Sequence, residues 1–366
     1  MSNLSRFQKP VSLFVLPIFV ICLNVSQAQA SAENCSKVLD AQTTVTFGQP
    51  EVFQQGTVIR FLQYNVENFF MKQAAIERGD VAAVEKIGRG FKSMDEINKE
   101  RDIIANLKPH FITVEEMHDI QDAKDFVEDD PRLQGKYQTF LTPGNDIRGG
   151  INIAMYATKS FGFNYEYDTH KDVIYKDPVT GLEKPLFSRD TPVLIARKPG
   201  ETKPSLIVIG AHLKSKRVGE NSDAQSDDRL RKAQSDEINN IIAKLQAQFG
   251  ADVNIIFAGD LQTDPDHDPD LAGIRQRTVS VFDNVPGKNF SPSQRYTEWY
   301  FGPNGAPGVG NQIDDIRTAG KLQPVDAEVV PYLDDKGQQL PPPTSYQDRQ
   351  SRPSDHNPVF SDIKVM

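Results

Sequence analysis

Seven short runs of apolar, largely β-branched residues recur along the chain: Val58–Tyr64, Phe111–Val114, Ile151–Tyr156, Pro192–Ala196, Leu206–Gly210, Asn254–Ala258 and Pro358–Val365. Segments of this length and composition read as strands, several of them buried on both faces. Helical patterns lie between them. One runs from Asp95 to Leu107 and closes at Lys108-Pro109, where proline forbids continuation. The clearest runs from about Ser226 to Phe249, with Leu230, Ala233, Ile238, Ile241, Ile242, Leu245 and Phe249 on one stripe. Ser226 or Asp227 can cap its start and Gly250 ends it; the stripe is a core face. Long loops are expected at Asp264–Ile274, Gly302–Gly310 and Pro331–Arg352. Strands mingled with helices and long loops predict an α/β or α+β protein.

The first thirty residues follow another logic. Arg6 and Lys9 precede an apolar stretch from Val11 to Leu23, and the segment leaves through Ala28-Gln29-Ala30. A basic start, a short apolar core and an A-x-A exit describe a secretory signal peptide over residues 1–30, followed by a leader over 31–56. The apolar stretch is shorter than the ~20 residues a membrane span needs, and Pro17 interrupts it, so no stable membrane anchor is expected. Cleavage after Ala30 predicts a secreted or periplasmic protein. It removes Cys22 and leaves Cys35 as the one thiol, so no internal disulfide can form and the fold must rest on its core. It also removes two of the 41 basic residues and none of the 50 acidic ones, taking the net charge from −9 to −11. An acidic total excludes whole-molecule attraction to nucleic acid or anionic lipid. It leaves a polyanionic substrate open, because exposed charges are screened within about 8 Å and the field at a cleft decides.

Polar, metal-competent residues gather at the ends of the expected strands. These are Tyr64-Asn65-Val66-Glu67-Asn68, Thr113-Val114-Glu115-Glu116-Met117, Gly210-Ala211-His212-Leu213-Lys214-Ser215-Lys216, Phe257-Ala258-Gly259-Asp260-Leu261-Gln262 and Ser354-Asp355-His356-Asn357-Pro358. Gln312-Ile313-Asp314-Asp315-Ile316 joins them as a source of a carboxylate partner. On a strand Asn65 and Glu67 would point to the same side. Gly259 would let the backbone approach a ligand closely. These acidic and amide groups, with no Cys among them and few His on the metal side, suit a hard divalent ion such as Mg²⁺, with Mn²⁺ or Ca²⁺ as alternatives, over zinc.

In order and wording these six segments resemble the endonuclease/exonuclease/phosphatase superfamily, the deoxyribonuclease I-like metal-dependent phosphoesterases. The matching strings are Asn65–Asn68, Glu115-Glu116, His212-Leu213, Asp260 to Gln262, Ile313-Asp314 and Ser354–Pro358, and they span nearly all of the chain beyond Val58. The resemblance implies one catalytic domain over 57–366, built as a four-layer sandwich of two packed mixed β-sheets flanked by helices, with the site at one sheet edge. It implies that Glu116, Asn65, Glu67 and Asp355 hold the metal and that Asp260 orients and deprotonates the attacking water. Asp314 would fix the ring of His356 against the phosphate. His212 would act as a general acid or donate to a phosphate oxygen. His110, His118, His170 and His267 match no family position and are read as surface residues.

Two departures stand out. Gln262 replaces the family's asparagine, with the same amide one methylene further out, and Asp315 adds a negative charge beside the site. Arg148 and Lys214 are the candidate phosphate contacts. Lys216, Arg217, Arg189, Arg229 and Arg231 supply local positive charge that could follow a nucleic-acid backbone. The leading functional reading is a secreted, metal-dependent phosphodiesterase, a monomer that hydrolyses DNA or RNA. The alternative is a phosphatase or phospholipase C-like hydrolase of sphingomyelin or inositol phosphates, for which Trp299-Tyr300-Phe301 could touch a membrane. A third reading is a catalytically weakened binding protein on the same fold.

Overall fold

In a computed structural model of the chain the described residues are 49–88, 90–146, 150–216, 224–301 and 308–366. The signal-peptide and most of the leader segment, Arg148 and Arg217 lie outside them. Residues Val45–Asp334 with Gln339–Met366 form one compact unit; the other unit, Met1–Thr44 with Asp335–Gln338, lies mostly outside the described residues.

The strands are β1 (Val58–Phe69), β2 (Phe111–Met117), β3 (Tyr137–Phe140), β4 (Asn152–Thr158), β5 (Asn164–Asp168), β6 (Ile174–Lys176), β7 (Glu183–Pro185), β8 (Val193–Arg197), β9 (Leu206–His212), β10 (Ile255–Asp260), β11 (Val279–Ser280), β12 (Glu298–Tyr300), β13 (Val309–Asn311), β14 (Asp314–Ala319), β15 (Leu322–Val329) and β16 (Val359–Val365). The helices are α1 (Lys72–Arg78), α2 (Val81–Ile87), α3 (Met94–Leu107), α4 (Ile120–Glu128), α5 (Ala224–Phe249), α6 (Ala272–Arg275), α7 (Val281–Asn284) and α8 (Tyr346–Gln350). All seven apolar runs are strands. α3 starts one residue before its expected position, behind a Ser93–Glu96 capping box. The three expected loops are not featureless: α6 lies in the first, β13 enters the second and α8 lies in the third.

Two six-stranded mixed sheets form, in the orders β15-β16-β1-β2-β4-β3 and β11-β14-β10-β9-β8-β5. Each has one parallel pair at its centre, β1 with β2 and β9 with β10, flanked by antiparallel neighbours. Strand alternation explains the layering. Ile59 and Phe61 of β1, Leu206 and Val208 of β9, and Ile256 and Ala258 of β10 share one core cluster, contributed by both sheets. The intervening residues Leu62 and Tyr64 pack with Ile97 and Ile104 of α3 and Phe126 of α4. Ile207, Ile209, Ile255 and Phe257 pack with Ile238, Ile241 and Ile242 of α5. The result is helix, sheet, sheet, helix: the expected four-layer sandwich. Among the described residues no helix is long and apolar enough to cross a membrane.

Gly259 has a structural task different from the expected one. A Cβ there would lie 1.8 Å from the carbonyl oxygen of Ala211, its register partner on β9. The glycine serves the close approach of two parallel strands, not that of a ligand.

Candidate active site

The intersheet face of each central strand turns from apolar to polar toward one edge. On β1 the series Ile59, Phe61, Gln63, Asn65 runs along one face, and on β10 it is Ile256, Ala258, Asp260. Asp260 stands in register with His212 of β9 on one side and Asp314 of β14 on the other. Strand β16 runs antiparallel to β1 with Val359 opposite Gln63, so the His356 loop arrives at the same edge. The site is therefore the polar end of the layer that elsewhere is the intersheet core.

One amide nitrogen shows the convergence. Asn65 Nδ2 lies 3.4 Å from Glu116 Oε1, 3.0 Å from Asp260 Oδ2 and 3.5 Å from His356 Nε2. Its Oδ1 accepts the Glu67 N–H at 3.0 Å, and the Asn68 N–H donates to Glu116 Oε2 at 2.9 Å. This edge is held in unusual backbone. Glu67, Asn68, Glu116 and Gln262 all have positive φ, between 42° and 68°, a conformation costing about 1–3 kcal/mol for such residues. The β1–β2 and β2–β4 registers also shift here, between Asn65 and Phe69 and between Glu115 and Met117. Such irregularity re-aims side chains: Glu116, Glu67, Asp355 and His356 all line one cavity of about 1580 Å³.

Asp260 is fully buried. Burial and the neighbouring Asp314 push its carboxyl up to about 8, against the downward pull of His356. Burial and Asp355 raise Glu67 to about 7. The ring of His356 is the converse case: burial opposes its charge, but Asp314, bonded to Nδ1 at 2.7 Å, and Asp355 outweigh it and hold the imidazole well above its ordinary value. His212 Nε2 sits 3.4 Å from Asp260 Oδ2 and 3.2 Å from Gln262 Nε2. Gln262 uses its extra methylene within the site: its amide also reaches Asp260 Oδ2, and its N–H donates to Asp260 Oδ1 at 2.9 Å.

Asp315 does not load the site with charge. Next to Asp314 on a strand, it points to the other face, where it pairs with Arg317 at 2.8 Å and accepts from Ser280 at 2.8 Å. Lys214 is likewise turned away; its Nζ pairs with Asp227 of α5 at 3.0 Å, and it does not line the cavity. The other expected cations are committed too: Lys216 to Asp268 at 2.6 Å, Arg229 to Asp177 at 3.1 Å and Arg231 to Asp270 at 2.5 Å. Among these residues Arg189, with Asp146 at 3.7 Å, and Lys216 line the cavity. His110 is not a surface residue: it is buried, accepts the Arg60 N–H and faces Glu51. His118 and His170 are half-buried and His267 is exposed.

Three contributors carry no motif signal. Gln63, fully buried, donates to both Glu115 and Asp314 at 2.8 Å; its position two residues before Asn65 on one strand face was the available clue. Glu298 from β12 and Arg349 from α8 line the cavity but come from segments with no recognisable pattern. Trp299 is half-buried and Tyr300 about half exposed on the β12–β13 hairpin.

No family model matches the sequence, and no curated protein matches it. Solved structures do. A truncated TDP2 from Caenorhabditis elegans aligns with a TM-score of 0.55 at 14% identity, over 85% of this chain and 99% of its own. An endonuclease/exonuclease/phosphatase family protein from Bacteroides thetaiotaomicron gives 0.51 at 14%, over 85% and 99%. The human Nocturnin catalytic domain, with bound sulfate anion, gives 0.50 at 15%, over 87% and 100%. With two mixed sheets, flanking helices and these neighbours, the chain has the deoxyribonuclease I-like fold of the endonuclease/exonuclease/phosphatase superfamily.

Proposed function

We propose that this protein is a divalent-metal-dependent phosphoric ester hydrolase acting on phosphodiesters. The observation that carries the reading is the placement of Asn65 Nδ2 within 3.5 Å of Glu116, Asp260 and His356 at once. The acidic residues fit a cation: Glu67, Glu116 and Asp355 are all oxygen donors, and burial with mutual repulsion already lifts Glu67. That is the donor chemistry of Mg²⁺ or Mn²⁺, with Ca²⁺ an alternative. Bound there, the ion would neutralise phosphate charge and stabilise the leaving oxygen.

The chain's own groups supply the rest. Asp260 takes the proton of the attacking water, a task suited to a base whose pKa lies near 8. Asn65 holds Asp260 and Glu116 in relative position. Asp314 keeps His356 charged and leaves Nε2 for a phosphate oxygen. His212 presents Nε2 beside the Gln262 amide, and Arg189 takes the phosphate role expected of Lys214.

Within this reading the substrate is a nucleic-acid phosphodiester taken up as a short single strand or chain end. Phe290, Tyr296, Tyr300 and Tyr346 line the cavity and offer stacking surface for bases. Among the described residues Lys214, Lys216, Arg229 and Arg231 are each paired with an acid, which argues against a charged track for a long duplex. The same pairing favours the second reading, a small phosphoester such as a lipid headgroup or inositol phosphate. Secretion or periplasmic residence after loss of residues 1–30 is part of the proposal, tested by the N-terminal sequence of exported protein.

The test is a panel of single-stranded DNA and RNA, duplex DNA, sphingomyelin and inositol phosphates, each with Mg²⁺ or EDTA. Metal-dependent cleavage of single strands is expected. Turnover of a small ester alone selects the second reading, and no turnover of any removes the hydrolase. A Gln262→Asn variant that awakens an inert wild type would instead favour a binding protein.

A further inference from the structure

The loop that delivers Asp355 and His356 also brings a cation of its own. Arg349, on α8, is 7% exposed, lies 5.0 Å from the Tyr346 ring centroid and lines the cavity. Its Nη1 is 3.5 Å from Asp355 Oδ2 and 4.0 Å from Glu298 Oε1. The other oxygen of Asp355 is 3.6 Å from His356 Nε2, and Glu298 forms a β-bridge with His356. Glu298, Asp355 and His356 offer ligand atoms within 4.8 Å of one another, a spacing that would suit a metal ion.

A guanidinium already stands there. An arginine–carboxylate pair joined by charge-assisted hydrogen bonds closes to about 2.7–2.9 Å, often bidentately. Arg349 instead lies at 3.5 and 4.0 Å, shared between two carboxylates, and its Nε is buried with no hydrogen-bond partner among the described residues. The guanidinium is therefore held beside both carboxylates without being tied closely to either. Where phosphoesterases use two metals, the ions stand about 3.5–4 Å apart and clamp both the attacking and the leaving oxygen.

We propose that Arg349 is this site's built-in second cation. It occupies the Asp355–Glu298 position, restricts the protein to a single divalent ion and places its positive charge at the wall of the cavity that takes the substrate phosphate. The inference rests on the metal-dependent hydrolase reading above.

The test is Mn²⁺ stoichiometry by titration calorimetry and electron paramagnetic resonance on the full chain, with circular dichroism melting as the folding control. The wild type is expected to bind one ion. Arg349→Met should bind two, and adding Glu298→Gln should return it to one. Arg349→Met should also lose about a hundredfold in kcat/KM at low Mn²⁺, the scale of one lost charge-stabilising donor, and recover part of it as Mn²⁺ rises. Should Arg349→Met fail to fold, Arg349→Lys keeps a positive charge and should still bind one ion. Two ions in the wild type or in Arg349→Lys, or a folded Arg349→Met that binds one and keeps its activity, overturns the inference. A wild type that binds none overturns the hydrolase reading and this inference with it.

Discussion

Asp314→Asn is the sharpest single perturbation, because both oxygens of this fully buried carboxylate are committed. Oδ1 accepts from Gln63 Nε2 at 2.8 Å and Oδ2 from His356 Nδ1 at 2.7 Å. An asparagine is nearly isosteric but has one acceptor, so its NH₂ must face either Gln63, donor against donor, or His356, whose Nδ1 can accept it only if the ring gives up its charge. Leaving one buried donor unmade costs about 1–3 kcal/mol of stability. The larger loss is the counter-charge of the imidazolium; breaking a buried ion pair costs about 3–5 kcal/mol. If that is lost from the transition state, at about 1.36 kcal/mol per decade, kcat falls roughly a hundredfold to a few thousandfold. The assay is steady-state hydrolysis at saturating Mn²⁺, with thermal melting alongside. A folded, metal-binding Asp314→Asn whose kcat stays within about threefold of wild type would show that the Asp314–His356 pair is structural, and would remove His356 from the proposed chemistry.

Behind the site, Lys92 bonds the Pro353 carbonyl and pairs with the fully buried Glu100 at 2.8 Å. Lys92→Met should therefore cost about 3–5 kcal/mol in urea denaturation; less than about 1 kcal/mol would refute the pairing. Burial lifts Glu100 to about 7 from its ordinary 4.5, against the opposing pull of Lys92. Between those values the folded state holds a proton that the unfolded state has released, so stability falls as pH rises through this window, by an order of about 3 kcal/mol. Glu100→Gln should flatten that slope, and a slope unchanged in the variant counts against it. Gly259→Ala drives a Cβ against the Ala211 carbonyl and should cost about 3 kcal/mol or more, measured as a lowered Tm. Saturating Mg²⁺ should raise Tm and EDTA should reverse it, the gain being about 2.7 kcal/mol at a hundredfold excess over Kd; an unchanged Tm argues against a metal in this nest.

Local pattern sufficed for much of the architecture. A strand needs only alternation or an apolar run, and a helix only its stripe and its stop, so the seven runs, α3 and α5 were all legible from neighbours in sequence. β14 and β15 were not; Asp314-Asp315-Ile316-Arg317 and Leu322–Val329 carry polar residues through a strand because the fold supplies partners for them, as Asp315 has Arg317 two residues along its own strand and Ser280 on neighbouring β11.

The ordered polar segments, read as a resemblance, anticipated which strand ends would matter, because side-chain chemistry is written in residue type. What those residues touch is not. Lys214 and Lys216 form a basic run on paper, yet each is drawn to an acid on another element, Asp227 and Asp268. Asp314 and Asp315 are adjacent in the chain and face opposite layers. Gln63, Glu298 and Arg349 join the site from separate elements, and no spacing links them. Residue type and period are properties of a stretch of chain and can be read from it. Pairing, burial and the pKa shifts they cause depend on distances between elements far apart in sequence, and only the packing of the two sheets decides those.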